Sequence, residues 1–163
     1  MKICGIDPGA NGAMCVLDTD IPTYTALLDF KKHSIYEACS WLNSFTDLDS
    51  IWIEDVHSLF GMSAKSNFGF GRNLGIARAI AEIASAGDNL LSVTPKVWQK
   101  FVGVTVKGKE IKKQVANIAQ ELYPMAILHG KLGGLLDGRS DAICIAHYGI
   151  HNTLQVTGEP IND

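Results

Sequence analysis

Apolar residues in this chain fall into short runs divided by turn residues. The first run, Ile3-Cys4-Gly5-Ile6, ends in Asp7, and Pro8-Gly9 and Asn11-Gly12 follow. A second run, 13–17, leaves the turn, so the pattern predicts a strand, a tight turn and an antiparallel return strand. Pro8 has no N–H to give to a ladder, which stops the first strand at Asp7. A third strand is predicted over 23–29. Ser34 is placed to cap a helix reaching about residue 45, with Ile35, Ala38, Cys39 and Leu42 on one face. The run 50–54 reads as a strand that again ends in a carboxylate, Glu54. Residues 55–71 read as a long Gly- and Ser-bearing loop with several aromatics, and loops of that length in compact domains tend to serve function.

The remaining pattern predicts a helix over 73–85, a strand over 90–93 and a short helix over 96–101 that starts at Thr94-Pro95. A longer helix over 109–122 stops before Pro124. A second loop, 125–138, carries four glycines. Ser140 is expected to cap a last helix over 141–151, and 152–163 reads as a polar tail. Three antiparallel strands followed by alternating helices and strands indicate an α/β sheet with helices on both faces. Crossovers after the third strand give the first strand a parallel partner. One domain over 1–152 with a tail over 153–163 is the simplest division.

Composition narrows this picture only slightly. The 163 residues are 47% hydrophobic, enough for a sizeable core. No apolar run reaches membrane-spanning length, and no basic-then-apolar leader opens the chain. The expected setting is therefore cytoplasmic. Cys4, Cys15, Cys39 and Cys144 show no CxxC spacing, which favours buried thiols over disulfides or zinc ligands.

Net charge is −3, but its distribution is uneven. Between positions 96 and 113 stand Lys96, Lys100, Lys107, Lys109, Lys112 and Lys113 against one acid, Glu110. Local patches govern nucleic-acid binding more than the total does. A solvated lysine-rich helix explains the same residues without a ligand.

Asp7 and Glu54 both end apolar strands. If those strands are parallel neighbours, both carboxylates emerge at the sheet edge where α/β ligand sites lie. Asp141 opens the last predicted helix, and Asp137 precedes it by four residues. Each has a plainer reading: Asp7 as a turn initiator, Asp141 as a complement to a helix dipole. Together they form an oxygen-rich set with no obvious cationic partners, which suits Mg²⁺ or Mn²⁺. Two such ions stabilise attacking and leaving oxygens in phosphodiester cleavage.

The motifs GIDPG at 5–9, IE at 53–54 and GRSDAICIA at 138–146 resemble the RuvC family of Holliday-junction resolvases. TPKVWQKFVG at 94–103 and GKEIKKQV at 108–115 resemble that family's basic segment. The resemblance is to its phage and small bacterial members and runs along nearly the whole chain. It implies an RNase H-like fold with a five-stranded mixed sheet, three antiparallel strands then two parallel. It also implies a homodimer that nicks four-way DNA junctions in pairs, leaving 5′-phosphates that a ligase can seal. Asp7, Glu54 and Asp141 match the family's metal ligands. Its usual fourth ligand falls on Gly138, so Asp137 is the candidate replacement. Lys112 matches a family lysine, with Lys113 adjacent, while a second family lysine falls near Trp98, leaving Lys96 or Lys100 to substitute. The family's base-stacking aromatic falls on His57, which makes Phe60, Phe68 or Phe70 candidates for that work. Stacking of a base on such a ring is worth about 1–3 kcal/mol. Apart from the resemblance, Gly75, Ala79 and Ala86 give the helix over 73–85 a flat side suited to packing on another helix, as a dimer needs; Arg72 and Arg78 flank it, and Arg72 is alternatively a candidate phosphate contact.

Other readings start from the same residues. A broader flap or branch nuclease would use the same site. DPGANG at 7–12 also resembles the phosphate loop of the actin and sugar-kinase superfamily, whose ATP site needs a second domain and about twice this length. A non-catalytic junction binder would gain nothing from clustered carboxylates facing phosphates. His147 and His151 are four apart on the last helix, but no HExxH accompanies them, which favours a core or surface pair over zinc. Ser58, Ser63 and Ser66 lack a neighbouring base, and Trp52 and Trp98 read as core.

Overall fold

The computed structural model describes residues 1–45, 47–56, 61, 63–85 and 89–157, with side chains for all of these except 85 and 154–157. Five strands, β1 (Lys2–Ile6), β2 (Ala13–Asp18), β3 (Thr25–Asp29), β4 (Ser50–Glu54) and β5 (Leu90–Val93), form one mixed sheet in the order β3-β2-β1-β4-β5. β1 pairs antiparallel with β2, and β2 antiparallel with β3. β1 pairs parallel with β4, Ile6 opposite Ile53, and β4 pairs parallel with β5. The sheet is thus three antiparallel strands followed by two parallel ones, as the pattern predicted.

Alternation along the strands feeds two cores. Cys4, Ile6, Met14, Val16, Ile51 and Ile53 face α1 (Ile35–Asn43) and α2 (Ala64–Ser85). Ile3, Ala13, Cys15, Leu17 and Trp52 face α4 (Glu110–Leu122) and α5 (Asp137–Thr157), with Trp98 of α3 (Pro95–Phe101) in the same cluster. Ser34 caps α1 as expected, its hydroxyl accepting from the Glu37 N–H while the Glu37 carboxylate accepts from Ser34 N–H. All four cysteines are free thiols, three of them buried.

α5 lies directly across β1. A Cβ on Gly5 would stand 2.3 Å from the Ala142 oxygen and 2.3 Å from the Ala146 nitrogen, so only glycine lets the helix seat there. At the far end Ser50, Trp52 and Thr153 are joined by hydrogen bonds of 2.7–3.1 Å.

Three elements differ from the sequence pattern. α2 begins at Ala64, not near 73, because the Ser63 hydroxyl accepts from Ser66 N–H and starts the helix despite Gly69 and Gly71. Residues 64–71 are therefore helix, not loop. α5 begins at Asp137 and runs through Thr157, four residues earlier and six later than expected. Ser140 is not its cap: that hydroxyl donates back to the Asp137 carbonyl. The helix also crosses the expected boundary at 152, with Thr153 buried. Finally, 125–138 is not an open loop. Gly130 N–H donates to Gly134 O and Leu136 N–H to Leu128 O, closing a hairpin that leads into Asp137. Leu132 at its tip is fully exposed.

Candidate active site

Parallel pairing of β1 and β4 brings Asp7 and Glu54 out at one edge of the sheet. Asp7 follows the last residue of β1. Its backbone N–H still donates to Ala13 O at 3.0 Å, and its Oδ1 accepts from Gly9 N–H at 2.9 Å, so the turn fixes the carboxylate. Glu54 is the last residue of β4, and its Oε1 accepts from the Trp98 indole N–H at 2.8 Å. Trp98 is thus core, as expected, but it also orients a site carboxylate; its position four residues past Thr94 carried no signal of that.

α5 supplies the other two acids. Asp137 is its first residue and Asp141 lies one turn on. Gly138 packs against the β1–β2 turn, where it makes a bridge to Gly12. A Cβ on Gly138 would stand 2.2 Å from the Asn11 oxygen and 2.8 Å from the Gly12 Cα. No side chain fits at that position, and Asp137 is the acid that directly precedes it.

The electrostatics record the convergence. Burial pushes the Asp7 carboxyl up to about 6; Asp137 adds to this, while the Gly9 N–H and Lys112 oppose it. Burial pushes Glu54 up to about 7, with Asp7 adding and the Trp98 N–H opposing. Asp141 is held well above the usual carboxylate range by burial, then by Asp7, Glu54 and Asp137, against Lys112. Lys112, on the first turn of α4, pairs with Asp137, which raises its own pKa while most of the side chain stays in solvent.

The structure therefore brings together Asp7, Glu54, Asp137, Asp141 and Lys112. Among the described residues, no three Asp, Glu, His or Cys side chains are gathered into a group that could already hold a metal ion. The donor chemistry nonetheless fits a hard cation: these are carboxylate oxygens, mutually repelling and largely buried, with a single ammonium nearby.

Around this edge the basic residues are accessible. Lys96 and Lys100 lie exposed on α3, Lys107 and Lys109 in the exposed segment before α4, and Lys113 on α4. Phe68 is exposed, Phe70 half-buried and Arg72 exposed, all on α2 instead of in the expected loop. His57 and Phe60 lie outside the described residues. His147 sits in an aromatic cluster: its Nδ1 is 3.0 Å from the Tyr123 hydroxyl, and its ring packs against His151 and Phe101.

A further contact escaped the sequence reading. Arg139 donates through Nε and Nη2 to the two carboxylate oxygens of Asp29, at 2.6 and 2.9 Å, and through Nη1 to the Ile127 carbonyl at 2.8 Å. Both side chains of the pair are almost wholly buried. This fork joins the end of β3, the hairpin and the first turn of α5, between Asp137 and Asp141. Asp29 closes a predicted strand and Arg139 lies within the GRSDA motif, but their 110-residue separation left no sign that they meet.

No family model matches the chain, and no curated protein matches it. Its fold is shared with solved structures. The RuvC structure from Thermus thermophilus superposes with a TM-score of 0.59 at 16% identity, covering 97% of this chain and 97% of that one. T. thermophilus RuvC in complex with Holliday junction substrate gives a TM-score of 0.58 at 14% identity, covering 97% and 96%. The five-stranded mixed sheet with helices on both faces is thus a RuvC-like, RNase H-like fold.

Proposed function

We propose that this chain is a divalent-metal-dependent DNA endonuclease that acts on four-way or otherwise branched DNA. The observation that carries the reading is the convergence of Asp7, Glu54 and Asp141 at one sheet edge, with Asp137 and Lys112 beside them. The similarity to a RuvC seen with Holliday junction substrate supplies the substrate class. Asp7, Glu54, Asp141 and Asp137 would hold Mg²⁺, with Mn²⁺ able to substitute. Bound there, divalent cations would supply a polarised water and stabilisation of the leaving 3′ oxygen, so that hydrolysis would leave a 5′-phosphate.

The chain's own residues have separate tasks. The Gly9 N–H and the Trp98 indole hold the Asp7 and Glu54 carboxylates in place. The Lys112 ammonium is placed to offset negative charge that develops on the phosphate. Lys96, Lys100, Lys107, Lys109 and Lys113 serve as backbone phosphate contacts, and Phe68, Phe70 and Arg72 as contacts from α2. A non-catalytic binder is disfavoured because buried carboxylates repel phosphates and cost stability without a cation.

The protein is read as a cytoplasmic homodimer. Among the described residues no helix is long and apolar enough to cross a membrane. On α2, Gly75 and Ala79 are exposed and Ile83 is 64% exposed, at i, i+4 and i+8 on one side of the helix, a face suited to a second copy. Ala86, also expected on that face, lies outside the described residues. Sedimentation at micromolar concentration with a junction present should show a dimer; a monomer would remove this part of the reading.

The direct test of the site is Asp7→Asn. Junction cleavage should fall by more than about 100-fold while junction affinity is kept, as loss of a metal ligand demands. Retained cleavage would contradict the assignment. Flaps and forks assayed beside the junction decide between strict resolution and broader branch cutting.

A further inference from the structure

Behind the turn that fixes Asp7, on the α1 and α2 side of the sheet, lies a cavity of about 230 Å³. Pro8, Gly9 and Ala10 of the turn form one wall. Ile76 and Ile80 give an apolar floor, the exposed Ile35 adds an apolar side wall, and Lys31, His33 and Arg72 stand at the rim. Lys31 and Arg72 are exposed, and among the described residues neither makes a hydrogen bond or ion pair. Their neighbours are already used: Lys32 pairs with Asp29, and the His33 Nδ1 lies 2.9 Å from the Asp29 carbonyl. The acid in the first turn of α1, Glu37, is turned back onto Ser34. The rim is thus cationic and unspent.

An apolar floor under two free cations matches a nucleotide: a base or sugar below, phosphates above. The basic segment around α3 and α4 lies on the other side of the carboxylates. A strand crossing the site with cations on one side alone would be held at one end. We propose that this groove seats a nucleotide of the DNA strand that runs past Asp7, its phosphates held by Lys31 and Arg72. The proposal rests on the nuclease reading above, which already takes Arg72 as a DNA contact, and adds Lys31 and a seat for one nucleotide on the side of the sheet opposite α3 and α4.

The test compares wild type, Lys31→Gln/Arg72→Gln and Lys107→Gln/Lys109→Gln, binding a labelled four-way junction and a short oligothymidylate over a salt series without metal. Loss of two phosphate contacts should lower the slope of log affinity against log salt by about 1.5 in the groove variant. In isotope-labelled wild type, oligothymidylate should shift the amides of Gly9, Ala10, Asn73 and Ile76, and the groove variant should lose those shifts. An unchanged slope in the groove variant, with a reduced slope in the Lys107/Lys109 variant, would overturn the groove and leave the nuclease reading standing. Wild type that binds no DNA would overturn both. A changed sedimentation coefficient for the groove variant without DNA would assign the face to a second copy and overturn the proposal.

Discussion

Arg139 shows how single side chains set this site. Its guanidinium meets both oxygens of a buried carboxylate, and a third donor holds the Ile127 carbonyl. A planar fork matches a carboxylate in a way a lysine does not. Removing one partner strands the other: Arg139→Leu leaves Asp29 buried with only the exposed Lys32 ammonium. We expect a loss of about 3 kcal/mol in chemical denaturation. Arg139→Leu/Asp29→Asn should recover part of that stability. Equal stability of Arg139→Leu and wild type would refute the clamp. Asp7 and Glu54 were legible because both end apolar runs, and a strand end is a place that local sequence can name. The Arg139–Asp29 pair was not, since nothing in either neighbourhood encodes the other.

Among elements, α5 matters most, and glycine decides where it sits. Gly5 lets it cross β1, and Gly138 lets its first turn touch the β1–β2 turn. A methyl at 138 meets backbone atoms at 2.2 and 2.8 Å, which cannot move as a side-chain tip would. Gly138→Ala should therefore push the first turn of α5 off Asn11-Gly12, lowering stability by about 1–3 kcal/mol. Cleavage should fall further than stability explains, because Asp137 and Asp141 move with that turn. A variant that cleaves at the wild-type rate would show that the turn does not position them. The sequence pattern placed the helix but started it at 141, because Ser140 resembles a cap. The hairpin packed ahead of Asp137 begins the helix one turn earlier, and tertiary packing of that kind leaves no local trace. The early start of α2 was missed for a related reason: Gly69 and Gly71 read as loop, while the Ser63 cap and the long helix outweigh their cost.

For the whole molecule, the site works against the fold. Asp7, Glu54 and Asp141 all titrate above their unfolded range near 4. Through these three groups the native state binds more protons than the unfolded state as pH rises from about 4. Their contribution to stability is fully present below that pH and falls as pH rises above it. Asp29 and His147 act in the opposite sense: against burial, Arg139 and Lys32 hold the Asp29 carboxyl low, and burial, then His151, pushes His147 down to about 4, so both contributions are lost on acidification and partly offset the three site acids. Thermal melts of the metal-free protein should show Tm falling from pH 5 to pH 7.5, with a flatter profile for Asp7→Asn. Mg²⁺ should raise the wild-type Tm at pH 7.5 by mass action on the native state. A Tm that rises over this range, or is blind to Mg²⁺, would contradict the electrostatic account. The α/β order and the mixed sheet were readable from the alternation of runs and turns, because strand periodicity is local. The partners that orient the carboxylates, Trp98 and Gly9 among them, follow from three-dimensional packing.

The measurement that tests the central claim most directly is cleavage of a labelled synthetic four-way junction by the purified protein, with Mg²⁺ and with EDTA, beside linear duplex. The expected result is paired symmetric nicks that require Mg²⁺, carry 5′-phosphates and spare the duplex. Absence of cleavage with both Mg²⁺ and Mn²⁺ would contradict it.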